Sequence, residues 1–125
     1  MTAPTKYIRN ARLVRLIDGD TIVVDLDADY CGIWLHNQTL RLKGIDTPEP
    51  VGATTKAGHA ATEYLREMMA RRAFKIETFK TARGSDERGK YGRYLAVVWL
   101  HSARGLPPLN VNECMIASGH AVKWE

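Results

Sequence analysis

Asp18-Gly19-Asp20-Thr21-Ile22-Val23-Val24-Asp25-Leu26-Asp27 joins a tight-turn signal to a period-two run, and that combination sets the fold class. Asp-Gly between two apolar runs is a strong short hairpin signal. Downstream, Ile22, Val24 and Leu26 alternate with Val23, Asp25 and Asp27, as in a strand with one apolar side. Upstream, residues 12–17 supply the partner strand. The turn therefore falls at the hairpin tip or one residue into the second strand.

Working outward, residues 27–37 contain Tyr30, Cys31, Gly32 and Trp34 and read as a meandering connection. Alternation returns over 38–43, with Leu40 and Leu42 on one side and Thr39, Arg41 and Lys43 on the other. Arg41 thus faces away from the apolar side of its strand. Gly44 marks a bulge that redirects the chain and lets Asp46 approach the same locus.

At 55–72 the spacing becomes helical, with Ala57, Ala60, Ala61, Tyr64, Leu65, Met68 and Met69 along one stripe. The Met pair at that spacing is core filling. Residues 74–79 and 94–100 supply two more strands, joined by a polar loop over 81–93. Beyond Gly105, Pro107 and Pro108, Asn110 and Glu113 have capping-box spacing for a short helix that Gly119 ends. Five strands, a long helix after the third and a short C-terminal helix predict an α+β chain: an OB-fold five-stranded β-barrel.

The 125 residues, 45% hydrophobic, suffice for one core and not two, so a single domain over 1–125 is expected, with 1–10 a flexible or edge segment. A formal charge of +4 favours polyanionic partners. No stretch has the apolar length of a membrane span or a signal-peptide core, so the chain as given reads as cytoplasmic, with no membrane partner. A monomer is the expected state. Cys31 and Cys114 lack a CxxC pattern and read as free thiols, one in a loop and one buried. His36, His59, His101 and His120 have no metal-ligating spacing, and His59 with Glu63 reads as a solvated helix pair.

Asp46-Thr47-Pro48-Glu49, with Arg41 close upstream, carries the chemistry. A residue before proline is held extended, so Thr47 presents its carbonyl between the flanking carboxylates. A hard cation binds such oxygen clusters, and a guanidinium beside them suits phosphate. Taken alone, this segment, the Asp18-Gly19-Asp20-Thr21 turn and the basic loop Arg88-Gly89-Lys90-Tyr91-Gly92-Arg93 each read as ordinary turn chemistry. Their conjunction is far less expected by chance, and the inventory suits phosphate chemistry.

In order, Asp-Gly-Asp-Thr, Arg, Asp-Thr-Pro-Glu, Lys-Tyr-Gly-Arg and a helix-opening Val-Asn-Glu resemble the staphylococcal nuclease family, over residues 12–122. The resemblance implies an OB-fold enzyme that hydrolyses phosphodiester bonds of DNA and RNA with one calcium ion. Position by position, it implies metal ligands at Asp20, Asp46 and the Thr47 carbonyl. Glu49 falls at the general-base position, Arg41 and Arg93 match the two phosphate-binding arginines, and Lys90 and Tyr91 match contacts to a neighbouring phosphate. Asp18 reads as a turn acid beside the ligand set. The family's C-terminal tyrosines that pack around the nucleotide have no counterpart, and Trp124 either substitutes for them or covers the barrel edge. The rival reading is a non-catalytic OB-fold module for single-stranded nucleic acid or a protein partner. Acids facing a polyanion without a metal argue against it.

Overall fold

The computed structural model describes residues 6–28, 30–48, 52, 55–70, 73–79 and 94–124. Its strands are β1 (Lys6–Asp18), β2 (Thr21–Asp27), β3 (Trp34–Leu42), β4 (Ile45–Asp46), β5 (Phe74–Phe79), β6 (Tyr94–Leu100), β7 (Leu109–Asn110) and β8 (Val122–Lys123), with helices α1 (Thr55–Met69) and α2 (Val111–Ala117). The main sheet runs β3-β2-β1-β5-β6-β7, and a further β3–β6 pairing closes it. Five strands, β1, β2, β3, β6 and β5, thereby form the expected barrel, and β7 extends β6 beyond it.

β1 serves two neighbours because it bends. Its register with β2 shifts between Leu13 and Arg15 and again between Leu16 and Asp18, and such bulges increase local twist. Its first half, Lys6 to Asn10, pairs instead with β5. Residues 6–10, expected to be flexible or edge, are strand paired with β5, and the pairing with β2 begins only at Ala11. Closure comes where β3 and β6 run parallel, with Leu40, Leu42 and Arg41 opposite Tyr94, Ala96 and Leu95 respectively.

The core gathers Ile22, Val24 and Leu26 of β2 with Leu40 and Leu42 of β3, and Ile76, Val98 and Leu100 from the opposite wall. Helix α1 contributes Ala61, Leu65 and Met69, and α2 adds Val111 and Met115. Ala57 and Ala60, expected on the buried stripe, are exposed, whereas Gly58 is buried. The apolar stripe is thus rotated towards the 58-61-65-69 line, and its small residues let α1 lie close to the sheet.

Asn110 caps α2, its side chain accepting the Glu113 N–H at 3.2 Å. Asn112, two residues on, is buried and ties the helix to the barrel seam. Its Nδ2 donates to the Lys43 carbonyl at 2.9 Å and to the Ala96 carbonyl at 3.0 Å, and its Oδ1 accepts the Val98 N–H at 3.2 Å. The side chain thereby gives the Lys43 carbonyl and the Val98 N–H a partner, and it shares the Ala96 carbonyl with the Lys43 N–H, which donates at 2.8 Å. Both cysteines are free; Cys31 is exposed, and Cys114, expected to be buried, is only partly so. Among the described residues no helix is long and apolar enough to cross a membrane.

Candidate active site

The β1–β2 turn, the end of β3 and the short β4 converge on one guanidinium. Thr21 and Arg41 are partners across the β2–β3 ladder, so the residue before Thr21 lies beside Arg41. Arg41 Nη1 sits 3.2 Å from Asp20 Oδ2, and Nη2 sits 3.4 Å from Asp46 Oδ1 while donating to the Ile45 carbonyl at 3.1 Å. The two acids differ in solvation: side-chain exposure is 9% for Asp20 and 54% for Asp46. Arg41, expected to face away from the apolar core, does so and is nonetheless buried.

Asp20 is held from several sides. Its Oδ1 accepts the Thr21 hydroxyl at 3.1 Å, and its Oδ2 accepts the Thr47 N–H at 3.1 Å. Its own N–H donates to Asp18 Oδ1 at 3.1 Å, the Asx-turn contact expected of an acid opening a tight turn. Asp18 is raised from 3.8 to about 6, first because burial disfavours its charged form, then through hydrogen bonding and repulsion with Asp20.

Gly19 has a steric reason to lack a side chain. A Cβ there would lie 2.8 Å from the Ala61 Cβ and 3.1 Å from Thr47 Oγ1. The turn thus rests directly on α1 and on the segment carrying Asp46 and Thr47. That contact converts a hairpin tip into a fixed wall of the site.

Gly44, at φ +81°, turns the chain from β3 into β4, and β4 is secured by pairing Ile45 with Lys123 and Asp46 with Val122 of β8. The Trp124 N–H donates to the Gly44 carbonyl at 2.9 Å. Its ring then lies 4.9 Å from Arg41 Cζ, within cation–π range. Sequence left Trp124 open between stacking and edge covering; the structure puts it beside the candidate phosphate-binding arginine. A lone aromatic near the C-terminus offers no signal for that. Asn112 and Gly19 were legible only as parts of motifs, not as the struts they are.

Asp20, Arg41, Asp46 and Thr47 are brought together. Glu49, Lys90, Tyr91 and Arg93 lie outside the described residues. Among the described residues no three His, Cys, Asp or Glu side chains form a metal-ligating group. A set of two carboxylates and one backbone carbonyl is nevertheless all hard oxygen, the chemistry calcium takes. Thr47 Oγ1 is buried with no hydrogen-bond partner among the described residues and faces Gly19, so the fit to a hard cation rests on the oxygen chemistry of the two carboxylates and the carbonyl.

The staphylococcal nuclease homologue family model matches residues 39–125. The thermonuclease of Staphylococcus hyicus is 36% identical over 92 residues, covering 71% of this chain and 47% of that protein. The thermonuclease of Staphylococcus intermedius is 35% identical over 89 residues, covering 69% and 46%. Protein ParB of Escherichia coli is 35% identical over 112 residues, covering 87% and 54%. This chain spans about half the length of these curated relatives. The family match begins at residue 39, past Asp20, so the tie of Asp20 to the site rests on its contacts with Arg41 and Thr47. With that barrel, that clamp and a match over most of its length, the chain belongs to the staphylococcal nuclease family.

Proposed function

We propose that this chain is a calcium-dependent nuclease that hydrolyses phosphodiester bonds of DNA, and of RNA, with single strands preferred. The observation that carries the reading is the Arg41 clamp: one buried guanidinium held by Asp20 and Asp46 at 3.2 and 3.4 Å. The acids hold the fork in place without a substrate, so little reorganisation is needed when a phosphate arrives. Asp20, Asp46 and the Thr47 carbonyl would hold calcium. When bound, the ion supplies Lewis-acid polarisation of a non-bridging phosphate oxygen.

Glu49 orients the attacking water and accepts its proton as the new P–O bond forms; the bridging P–O bond opposite breaks, and the leaving sugar oxygen takes a proton from solvent. Arg41 and Arg93 bind the equatorial oxygens and strengthen their hold as negative charge builds. Arg93 immediately precedes Tyr94, which opens β6 opposite Leu40, and Leu40 adjoins Arg41 in sequence. Lys90 and Tyr91 hold an adjacent phosphate. Unpaired strands are preferred because a groove that reaches the backbone from one side cannot enclose a duplex.

Digestion of single-stranded DNA with calcium, with EDTA and with calcium restored tests the reading. Cleavage that EDTA abolishes and calcium restores is expected, with magnesium less effective because it gives up its water shell reluctantly. Cleavage indifferent to EDTA would remove the metal from the reaction. Binding without cleavage under every condition would favour the non-catalytic module.

A further inference from the structure

A cavity of about 560 Å³ opens at the other end of β6, walled by the start of β1, the start of β5 and the loop after β6. Leu95 is the β3–β6 partner of Arg41, and Trp99 lies four residues further along the strand. At roughly 3.3 Å per residue the Trp99 Cα is therefore about 13 Å along the strand from the residue paired with Arg41.

Its lining is chemically one-sided. Ile8, Leu106 and Pro108 form apolar walls, and Lys75, His101 and Arg104 bring cationic or protonatable groups, with no acid among the described lining residues. None of those three side chains has an ion-pair partner among the described residues. Ile8 and Leu106 are 52% and 64% exposed, so the mouth is open.

Trp99 supplies the remaining element. Its Nε1–H donates to Glu77 Oε1 at 2.8 Å, which pins the indole. Lys75 is the cross-strand partner of Trp99, so a cation stands next to the ring. A fixed aromatic surface flanked by cations, in a cavity of ligand size, suits a planar ring that carries negative charge.

We propose that this cavity is an accessory nucleotide subsite that binds one base and phosphate of a single strand away from the cleavage site. The base packs against Trp99 and Leu106, and the phosphate is held by Arg104 and Lys75. The proposal rests on the nucleic-acid reading above for its ligand, though not on hydrolysis. The separation from Arg41 falls within the reach of the roughly 4–16 nucleotides that one OB fold engages.

The test is done in EDTA, which prevents calcium-dependent cleavage, with adenosine monophosphate and an oligothymidylate of about 12 nucleotides as probes. In ¹⁵N–¹H spectra the Trp99 Nε1–H signal, assigned with Trp99→Phe, should shift on titration with either probe. Lys75→Glu/Arg104→Glu alters exposed side chains only and should keep the wild-type melting temperature, yet weaken oligothymidylate binding by about 5-fold or more. Arg15→Glu/Arg66→Glu, which makes the same charge change at exposed positions away from the cavity, controls for general charge and should change affinity by less than about 2-fold. In a separate assay with calcium in place of EDTA, hydrolysis of a small nitrophenyl phosphodiester, too short to reach the cavity, should be the same in Lys75→Glu/Arg104→Glu and wild type.

An unmoved Trp99 signal, or equal losses in Lys75→Glu/Arg104→Glu and in Arg15→Glu/Arg66→Glu, overturns the proposal. So does a shift caused by polyglutamate but not by adenosine monophosphate, which would make the cavity a protein-docking site. A wild-type protein that binds oligothymidylate through Trp99 but hydrolyses nothing when calcium replaces EDTA would sink the nuclease reading and leave the subsite standing.

Discussion

Replacing Arg41 with Met should destabilise the protein by about 3–5 kcal/mol, and the largest share of that loss should come through Asp20. The guanidinium has two acidic partners with unequal solvation. Asp46 has 54% of its side chain exposed, so its share is that of a surface ion pair, about 0.2–1 kcal/mol. Asp20 has 9% exposed, and without Arg41 its carboxylate would remain buried near Asp18 with only hydrogen bonds to offset desolvation. The Ile45 carbonyl also loses its donor, a smaller penalty of about 1 kcal/mol. Asp20→Asn is milder, about 1–2 kcal/mol, since an amide oxygen still accepts the Thr47 N–H and Arg41 keeps Asp46. In the double variant no unpaired buried charge remains, so the cost should fall short of the sum by about 2 kcal/mol or more. Urea denaturation at neutral pH in EDTA measures all three, and thermal melts should show Arg41→Met lowered by roughly 10–20 °C. Strict additivity, or a loss below about 1 kcal/mol for Arg41→Met, would refute the picture of a buried clamp and make Arg41 a solvated surface residue.

Gly19→Ala should cost about 2–4 kcal/mol in denaturant and lower activity as well, because the new methyl meets the Ala61 Cβ at 2.8 Å and one of two packed elements must move. Asp18 has its folded-state pKa raised to about 6 from 3.8, so the native state holds that proton more tightly than the unfolded chain. Stability from this group is therefore lost as pH rises from about 4 to 6, and Asp18→Asn, which keeps an acceptor for the Asp20 N–H, should be more stable than wild type above pH 6 in EDTA. Solvent screening at this half-buried site limits the gain to about 1 kcal/mol, and a gap unchanged between pH 4 and 8 in urea titrations would contradict it. Glu49→Gln should retain single-strand binding but slow turnover by about two to four orders of magnitude, read by single-turnover kinetics; wild-type turnover would place water activation elsewhere. Asp46→Asn should melt within a few degrees of wild type in EDTA and lose the calcium-induced rise in melting temperature, and calorimetry showing a full calcium shift would remove Asp46 from the ligand set.

Regularly alternating or densely β-branched stretches announce themselves locally, which is why residues 74–79 and 94–100 were read with the same bounds as β5 and β6. The same holds for Asn110, whose capping role depends only on a side chain three residues from its donor. Where pairing rather than pattern makes the strand, sequence was silent. Lys6 to Asn10 have no clear alternation and become strand because β5 offers its edge. Trp34 and Leu35, read as connection, pair with Asp27 and Leu26 of β2. Likewise β4 and β8 are two residues each, far below what any periodicity can register, and exist only as each other's partner.

The site divides along the same line. Residue types and their order suffice to nominate Asp20, Arg41, Asp46 and Thr47, because phosphate and hard-cation chemistry demand guanidinium and oxygen donors whatever the fold. Which acid is buried, which is solvated, and that one guanidinium holds both follows from the β2–β3 register and the turn at Gly44, set by non-local hydrogen bonds. The placement of Trp124 against Arg41 depends on the β4–β8 pairing, and the cation-flanked Trp99 cavity on strands distant in sequence. Local chemistry is written in the chain one motif at a time; proximity between motifs is decided only when the barrel closes.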